Sequence, residues 1–408
     1  MKLLILDGNL RSTLATVRSL GRAGIEIGVG NDTPGMIAGR SAYCREMLVH
    51  PSPICEPGLF ERFLAEEVTD HGYSHVLAMS DTTTLVCNGL KEKLESRIHL
   101  IAPEAIMLVQ DKHAMVEIAQ RLSIEVPQFV TGCSDDQLLK FAERVGYPVV
   151  IKPRRSRQCV NGVWKEGRVR YAFTPNELLK IYAECDREIA QPLVQERIDG
   201  EGRGVFLLMW NGEIMASFCH RRLREKPPWG GISVLCESIP ADDSLVQRSA
   251  SLLRCAGMNG PAMVEYKIDR RDGLPRLMEV NGRLWGSLHL AIESGVDFPW
   301  IYLQLIRGRE VAPVLHSCAG VKSRWLLGDV DALLTRICAT RRQEYLLSPS
   351  SSRISACIEF CRLWSRGLHY DVMSWSDPRP ALEELRQYVA SNSKIAVRRV
   401  ASTLSRRG

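Results

Sequence analysis

The chain has 408 residues, 53 Lys+Arg against 47 Asp+Glu for a formal net charge of +6, and 45% hydrophobic against 25% charged residues. That length calls for two or three domains, because single cores stop growing near ~250–300 residues, and the composition excludes an extensively disordered or collagen-like chain. Lys394, Arg398, Arg399, Arg406 and Arg407 supply most of the net charge with no acid among them, so the body is close to neutral and nucleic acid is not expected as the main partner.

In chain order, Leu3–Asp7 is a short apolar run closed by a charge, a strand and not the ~7–15-residue core of an export signal. Ser12–Gly24 has helical spacing at Leu14, Val17 and Leu20, and Glu26–Gly30 is a short strand after a Gly stop. Gly58–His71 reads as helix and His75–Ser80 as strand, and this alternation implies a parallel sheet with helices on both faces. Asp7-Gly8-Asn9 lacks the GxGxxG spacing and reads as a tight strand-to-helix turn.

After Pro103 the pattern becomes α+β. Asp111 can cap a helix over Lys112–Leu122, Pro127–Thr131 is a strand, and Ser134 can cap a helix over Asp135–Val145. Strands Val149–Lys152 and Val169–Phe173 flank a basic connection, and Val205–Trp210 and Glu213–Phe218 flank Asn211-Gly212, the strongest short hairpin signal. Val205–Trp210 is also the longest apolar run, at six residues, far short of the ~20 that cross a bilayer. Ala262–Asp269 and Pro275–Asn281 form a further pair through Arg271-Asp272-Gly273. From about Pro313 the pattern is helical, with stripes at Val330–Ile337, Ile354–Cys361 and Leu382–Val389, broken at Ser348–Ser352 and Asp377–Pro380. Thirteen Cys without a CxxC pair point to a reducing, cytoplasmic compartment.

The densest polar set on a hairpin is Glu265, Glu279 and Asn281. Glu279 and Asn281 share a strand face, and the turn can return Glu265 to it. Three hard oxygen side chains suit Mg²⁺ with phosphate oxygens, though a solvated polar face would serve the same pattern. Lys152 ends an apolar strand and Lys112 opens a helix, both places where phosphate groups are held. Arg283 lies just beyond the hairpin, where a guanidinium could meet a phosphoryl or carboxylate group. Arg221, Arg222 and Arg224 lead into Pro227-Pro228-Trp229-Gly230-Gly231-Ile232-Ser233, which could hold a carboxylate and its acyl phosphate or form a solvent-facing strand edge.

This order of motifs resembles the ATP-grasp superfamily, in particular its carbamoyl-phosphate-synthase-like and D-alanine-ligase-like carboxylate–amine ligases. The matching pieces are Asp111-Lys112-xx-Met115, Pro148–Pro153, Val194–Glu201, Met263–Asp269 and Met278–Arg283. The resemblance implies an α/β and α+β chain: an N-terminal parallel α/β domain over 1–105, an ATP-grasp domain of two α+β subdomains over 106–312, and a helical, basic C-terminal extension over 313–408. It implies that Lys112 and Lys152 hold ATP phosphates, that the backbone of Gln195, Glu196 and Ile198 meets the adenine edge, and that Glu201, or Gly202 in a shifted register, meets the ribose. It further implies that Glu265, Glu279 and Asn281 bind two Mg²⁺ (or Mn²⁺) ions, and that Arg283 neutralises an acyl phosphate. The sequence departs from the pattern in Arg154–Gly167, where only Gly162 and Gly167 are glycines, and in Gly282, which stands where proline is usual.

The activity implied is ADP-forming ligation of a small-molecule carboxylate to an amine, with Arg221, Arg222, Arg224 and Ser233 toward the substrates. Carboxyphosphate chemistry and non-catalytic ATP binding are the alternatives. No transmembrane segment is expected; weak contact of the basic tail with anionic lipid and homodimer formation stay open.

Overall fold

Leu3, Leu4 and Ile5 are each fully excluded from solvent, as a strand between neighbours in a sheet covered on both faces requires. In the computed structural model, which describes residues 1–90, 94, 101–160, 163–188, 192–347 and 352–404, they form β1 (Lys2–Ile5). It is followed by α1 (Arg11–Arg22), β2 (Glu26–Asn31), β3 (Cys44–Val49), α2 (Pro57–Asp70), β4 (His75–Leu77) and α3 (Asp81–Cys87). The strands make a parallel four-stranded sheet in the order β3-β2-β1-β4. Asp7, at φ +60°, accepts the N–H groups of Met79 and Ser80 and the hydroxyls of Ser80 and Thr83, which ties the ends of β1 and β4 together.

Next come α4 (Pro103–Gln110), α5 (Lys112–Arg121), β5 (Phe129–Val130), α6 (Asp135–Val145), β6 (Val149–Lys152), β7 (Arg157–Val160), β8 (Val163–Glu166), β9 (Arg170–Ala172), α7 (Pro175–Glu188) and β10 (Leu193–Gln195). Asp111 caps α5 through the Ala114 N–H, and Ser134 caps α6 in a reciprocal box with Gln137, as their side chains predict. A small antiparallel sheet runs β5-β10-β6-β9, and its Val149, Ile151 and Val194 pack with Leu138, Phe141 and Leu178 of the helices. The expected pairing of 149–152 with 169–173 is present, and its connection is a second hairpin, β7 with β8. Gly162, one of the two glycines in that connection, lies outside the described residues.

The third sheet is built from β11 (Gly200–Trp210), β12 (Glu213–Lys226), β13 (Ile232–Ser238), β14 (Gly260–Asp269) and β15 (Pro275–Asn281), with α8 (Asp243–Cys255) inserted. Asn211 and Gly212 both take positive φ, as the two-residue hairpin turn demands. Val205, Leu207 and Met209 join the core with residues 101–124 and 245–258, while Phe206 and Leu208 join the opposite core with Trp285, Phe298 and the N-terminal apolar residues. A run buried on both faces explains why this strand is apolar without alternation.

The remaining elements are α9 (Leu288–Glu293), α10 (Phe298–Ile306), β16 (Lys322–Arg324), α11 (Leu326–Ile337), α12 (Arg341–Leu346), α13 (Arg353–Phe360), β17 (Leu368–Tyr370) and α14 (Arg379–Leu404). The three expected C-terminal stripes fall in α11, α13 and α14; of the Ser348–Ser352 break, residues 348–351 lie outside the described residues. Two short strands were not anticipated: β16 and β17 extend the large sheet to seven strands, ordered β15-β14-β11-β12-β13-β16-β17. The C-terminal region is therefore helical and also part of the sheet that carries the site. It is clamped to α1 as well: buried Arg18 donates to the Asp377 carboxylate at 2.9 Å and to the carbonyls of Asp371, Val372 and Asp377. Among the described residues, no helix is long and apolar enough to cross a membrane.

Candidate active site

Glu265 and Glu279 are direct cross-strand partners on β14 and β15, and Asn281 pairs with Met263 on the same side. The Asn281 amide donates to Glu279 Oε1 at 3.2 Å, and Lys112 Nζ lies 3.9 Å from Glu279 Oε2. Burial pushes the Glu279 carboxyl up, but the ammonium groups of Lys112 and Lys152 outweigh it and leave its pKa low. Glu265 behaves in the opposite way. Burial raises its pKa and the facing Glu279 adds to the rise, although Arg222 pulls it down.

Lys152, at the end of β6, is almost completely buried, and burial draws its pKa down to about 8; Glu279 works against the shift and Lys112 reinforces it. Lys112 donates from Nζ to Ser156 Oγ at 2.9 Å. Asp111, besides capping α5, accepts Arg154 Nε at 2.8 Å and Arg155 at 3.3 Å. The first two arginines of the basic connection are thus tied to a helix cap.

Gln195 ends β10 with a buried side chain whose Nε2 has no partner among the described residues. Glu196 is bound away from the cavity: its backbone N–H donates to Gln128 O, and its carboxylate takes the Gln128 N–H and Arg271. Ile198 lines the cavity and its carbonyl accepts Lys267 Nζ at 3.4 Å. Glu201 is held by Arg203 at 3.0 Å and lies near Arg221, and neither Glu201 nor Gly202 is among the cavity-lining residues.

Arg283 donates through Nε to Asp81 Oδ2 at 2.9 Å and lies 3.4 Å from Asn281 Oδ1, linking the metal-type hairpin to the N-terminus of α3. The three arginines of β12 separate. Arg222 faces inward and grips Glu265 with both terminal nitrogens, while also donating to Glu225 and to the Gly231 carbonyl. Arg221 pairs with Glu237 at the sheet surface, and Arg224 pairs with buried Asp329 of α11. Ser233 lines the cavity with Arg222; Arg221 and Arg224 do not.

Lys112, Lys152, Gln195, Ile198, Glu265, Glu279, Asn281, Arg283, Arg222 and Ser233 therefore share one cavity of about 970 Å³ between the small and large sheets, on the scale of a pocket for a small-molecule ligand. Its far end has walls that sequence reasoning missed: the loop Asn9–Ser12, the α3 start at Ser80–Thr82, and Trp325 before α11. Only the position of Ser80 and Asp81 after a parallel strand could have pointed to them, since α/β sheets bind ligands at carboxyl strand ends.

The residues fit the groups that such a cavity implies. A half-buried carboxylate pair facing the cavity, with a neighbouring amide oxygen, is a hard-oxygen donor set suited to Mg²⁺, and a divalent ion would offset both the desolvation and the Glu279 repulsion that raise the Glu265 pKa. Two buried ammonium groups and the orphaned Gln195 amide suit a nucleotide polyphosphate and base.

Two jaws, a small antiparallel sheet bearing Lys152 and a large one bearing the carboxylate pair, stand behind an N-terminal parallel sheet; this is the ATP-grasp fold, and the chain has it. A family model described as "ATP-grasp in the biosynthetic pathway with Ter operon" matches residues 188–327. The carbamoyl phosphate synthase large chain of Thermomicrobium roseum is 22% identical over 320 residues, 74% of this chain and 28% of that one. This chain spans between 5% and 28% of the length of such curated relatives. Among solved structures, an L-amino acid ligase from Bacillus licheniformis matches with a TM-score of 0.56 at 17% identity, over 74% of this chain and 73% of the other. N5-carboxyaminoimidazole synthetase from Staphylococcus aureus matches with a TM-score of 0.60 at 15% identity, over 77% of this chain and 79% of the other.

Proposed function

We propose that the protein is an ATP-dependent, ADP-forming carboxylate–amine ligase that acts on a small molecule through an acyl phosphate. The observation that supports this reading best is the convergence of Lys112, Lys152, Glu265, Glu279, Asn281 and Arg283 on one cavity. Glu265, Glu279 and Asn281 would hold Mg²⁺ or Mn²⁺, two ions, which when bound supply charge neutralisation at the transferring phosphoryl group.

The protein's own groups do the rest. Lys112 and Lys152 bind phosphate oxygens, and the Gln195–Ile198 segment receives the base. A carboxylate oxygen of the substrate attacks the γ-phosphorus and ADP leaves. Arg283, oriented by Asp81, neutralises the acyl phosphate. An amine then attacks the carbonyl carbon, and inorganic phosphate departs with the bridging oxygen while the amine loses a proton. Arg222, which donates to both oxygens of Glu265, supplies the counter-charge to that carboxylate beside the place where a metal would be held.

Carboxylate labelled with ¹⁸O tests the mechanism. One labelled oxygen should appear in inorganic phosphate, with ADP as the nucleotide product. Label in AMP, or release of pyrophosphate, would refute it. Unlabelled phosphate released with ADP would favour carboxyphosphate chemistry, and no ATP turnover with any acid would favour a binding protein.

A further inference from the structure

The far end of the cavity is lined by side chains that the reaction above does not use. Arg11, the first residue of α1, holds its guanidinium 4.3 Å from the centroid of the Trp325 ring, and Lys226 Nζ lies 5.2 Å from the same ring. Both cations line the cavity together with Trp325, and each is anchored from behind: Arg11 by Asp371 and Lys226 by Asp331, neither of which lines it. The indole is itself fixed, because Trp325 Nε1 donates to Glu384 Oε1 at 2.6 Å.

Among the described residues, the second guanidinium nitrogen of Arg11 reaches the Ser233 carbonyl, at the long limit of 3.5 Å. A Cβ at Gly286 would come within 2.9 Å of that nitrogen, so the glycine leaves room for it. Beside Gly286, the Trp285 ring packs against Phe206 and Phe298 and fixes the backbone of this wall. A guanidinium and an ammonium can only donate. Of the acids on this part of the wall, Glu225 accepts Arg222, and Asp81 accepts Arg283 through Oδ2. Leu10, the N-cap of α1, offers no side-chain acceptor to the first turn either.

Two cations on one wall of the cavity, each held from behind by an acid that does not line it, leave donors on the cavity side that suit an anion. We propose that Arg11 and Lys226, set against the Trp325 ring, bind a second anionic group of the substrate, carboxylate or phosphoryl, remote from the carboxylate that reacts. The substrate class is then an acid with at least two anionic groups. This rests on the ligase reading for the reacting end of the cavity, but binding can be measured without turnover.

Titration calorimetry on the full chain with MgADP present supplies the test. L-Glutamate, succinate and O-phospho-L-serine are compared with L-alanine and propionate, which carry one anion. At least one two-anion ligand should bind about tenfold or more tightly than its control, on the scale of a charge-assisted hydrogen bond. The preference should collapse in Arg11→Gln and Lys226→Gln, and should fall in Trp325→Leu but survive in Trp325→Phe, which keeps a ring. A stronger preference for the phosphoserine than for glutamate assigns the group as phosphoryl, the reverse as carboxylate. Equal binding of one-anion and two-anion ligands, or a preference that persists in Arg11→Gln and Lys226→Gln, overturns the proposal. Preferential binding with no ADP release from any acid would uphold this subsite and sink the ligase reading. ADP release from one-anion acids alone would do the opposite.

Discussion

Lys152 is where function and stability pull apart. Burial lowers its pKa from 10.5 to about 8, so its charged form is disfavoured in the folded protein relative to the unfolded one. That cost is fully present below about pH 8 and is relieved as pH rises toward the unfolded value near ~10.4. ATP phosphates need the charge, so nucleotide affinity should fall as pH rises from 7.5 to 9.5, by up to about tenfold per unit above the pKa. Lys152→Arg should hold its affinity flat over that range, because a guanidinium does not titrate there. Calorimetric ATP affinities at several pH values check this, and a flat wild-type profile would remove Lys152 from the phosphate site. Lys152→Met should bind ATP more weakly yet unfold later, by on the order of 1–3 kcal/mol at pH 7.

At the level of elements, α1 and the segment leading into α14 are joined by charge inside an apolar setting. Arg18 and Asp377 are each nearly inaccessible, and Ser41 Oγ and the Ala42 N–H also donate to that carboxylate. Arg18→Ala leaves Asp377 buried without its counter-charge, and should cost about 3–5 kcal/mol in urea unfolding. The pair Arg18→Met with Asp377→Asn should lose clearly less than the two single losses added, since no charge is then stranded. Additive losses would mean that the two residues act independently. The same junction sets Arg11 in the cavity, because Asp371 and Trp325 both come from C-terminal elements.

Over the whole molecule, the C-terminal region divides at about residue 390. Glu383, Glu384, Gln387 and Tyr388 of α14 hold Arg386, Trp325, Gly35 and Asp331 respectively. Deleting residues 391–408 leaves all of these in place, so ADP formation should be within about twofold of the full chain. A chain ending at Gly320 loses β16 and β17 and strips Arg11, Arg18 and Arg224 of Asp371, Asp377 and Asp329. Several uncompensated buried cations and an uncovered sheet edge should leave that fragment aggregated. Size-exclusion chromatography and turnover of the two truncations separate these outcomes; a soluble, active chain ending at Gly320 would show that the region is dispensable.

What the sequence determined by itself was local and periodic. The run at 205–210, the Asn211-Gly212 turn and the caps at Asp111 and Ser134 needed only neighbouring residues, so the strands and helices around the site were legible. Glu265, Glu279 and Asn281 were legible too, because a two-residue period and one turn bring them to the same face. The tertiary structure alone decided which charge meets which. Arg221, Arg222 and Arg224 look alike in the chain, yet the first goes to Glu237, the second to Glu265 and the third to Asp329. Coulomb attraction carries no address, so the partner is chosen by which element packs alongside. The same holds for β16 and β17, three residues each, which are strands because β13 presents an edge to β16 and β16 in turn to β17, and not because of any run of their own. Trp325 and Arg11, more than three hundred residues apart in sequence, line one cavity for that reason.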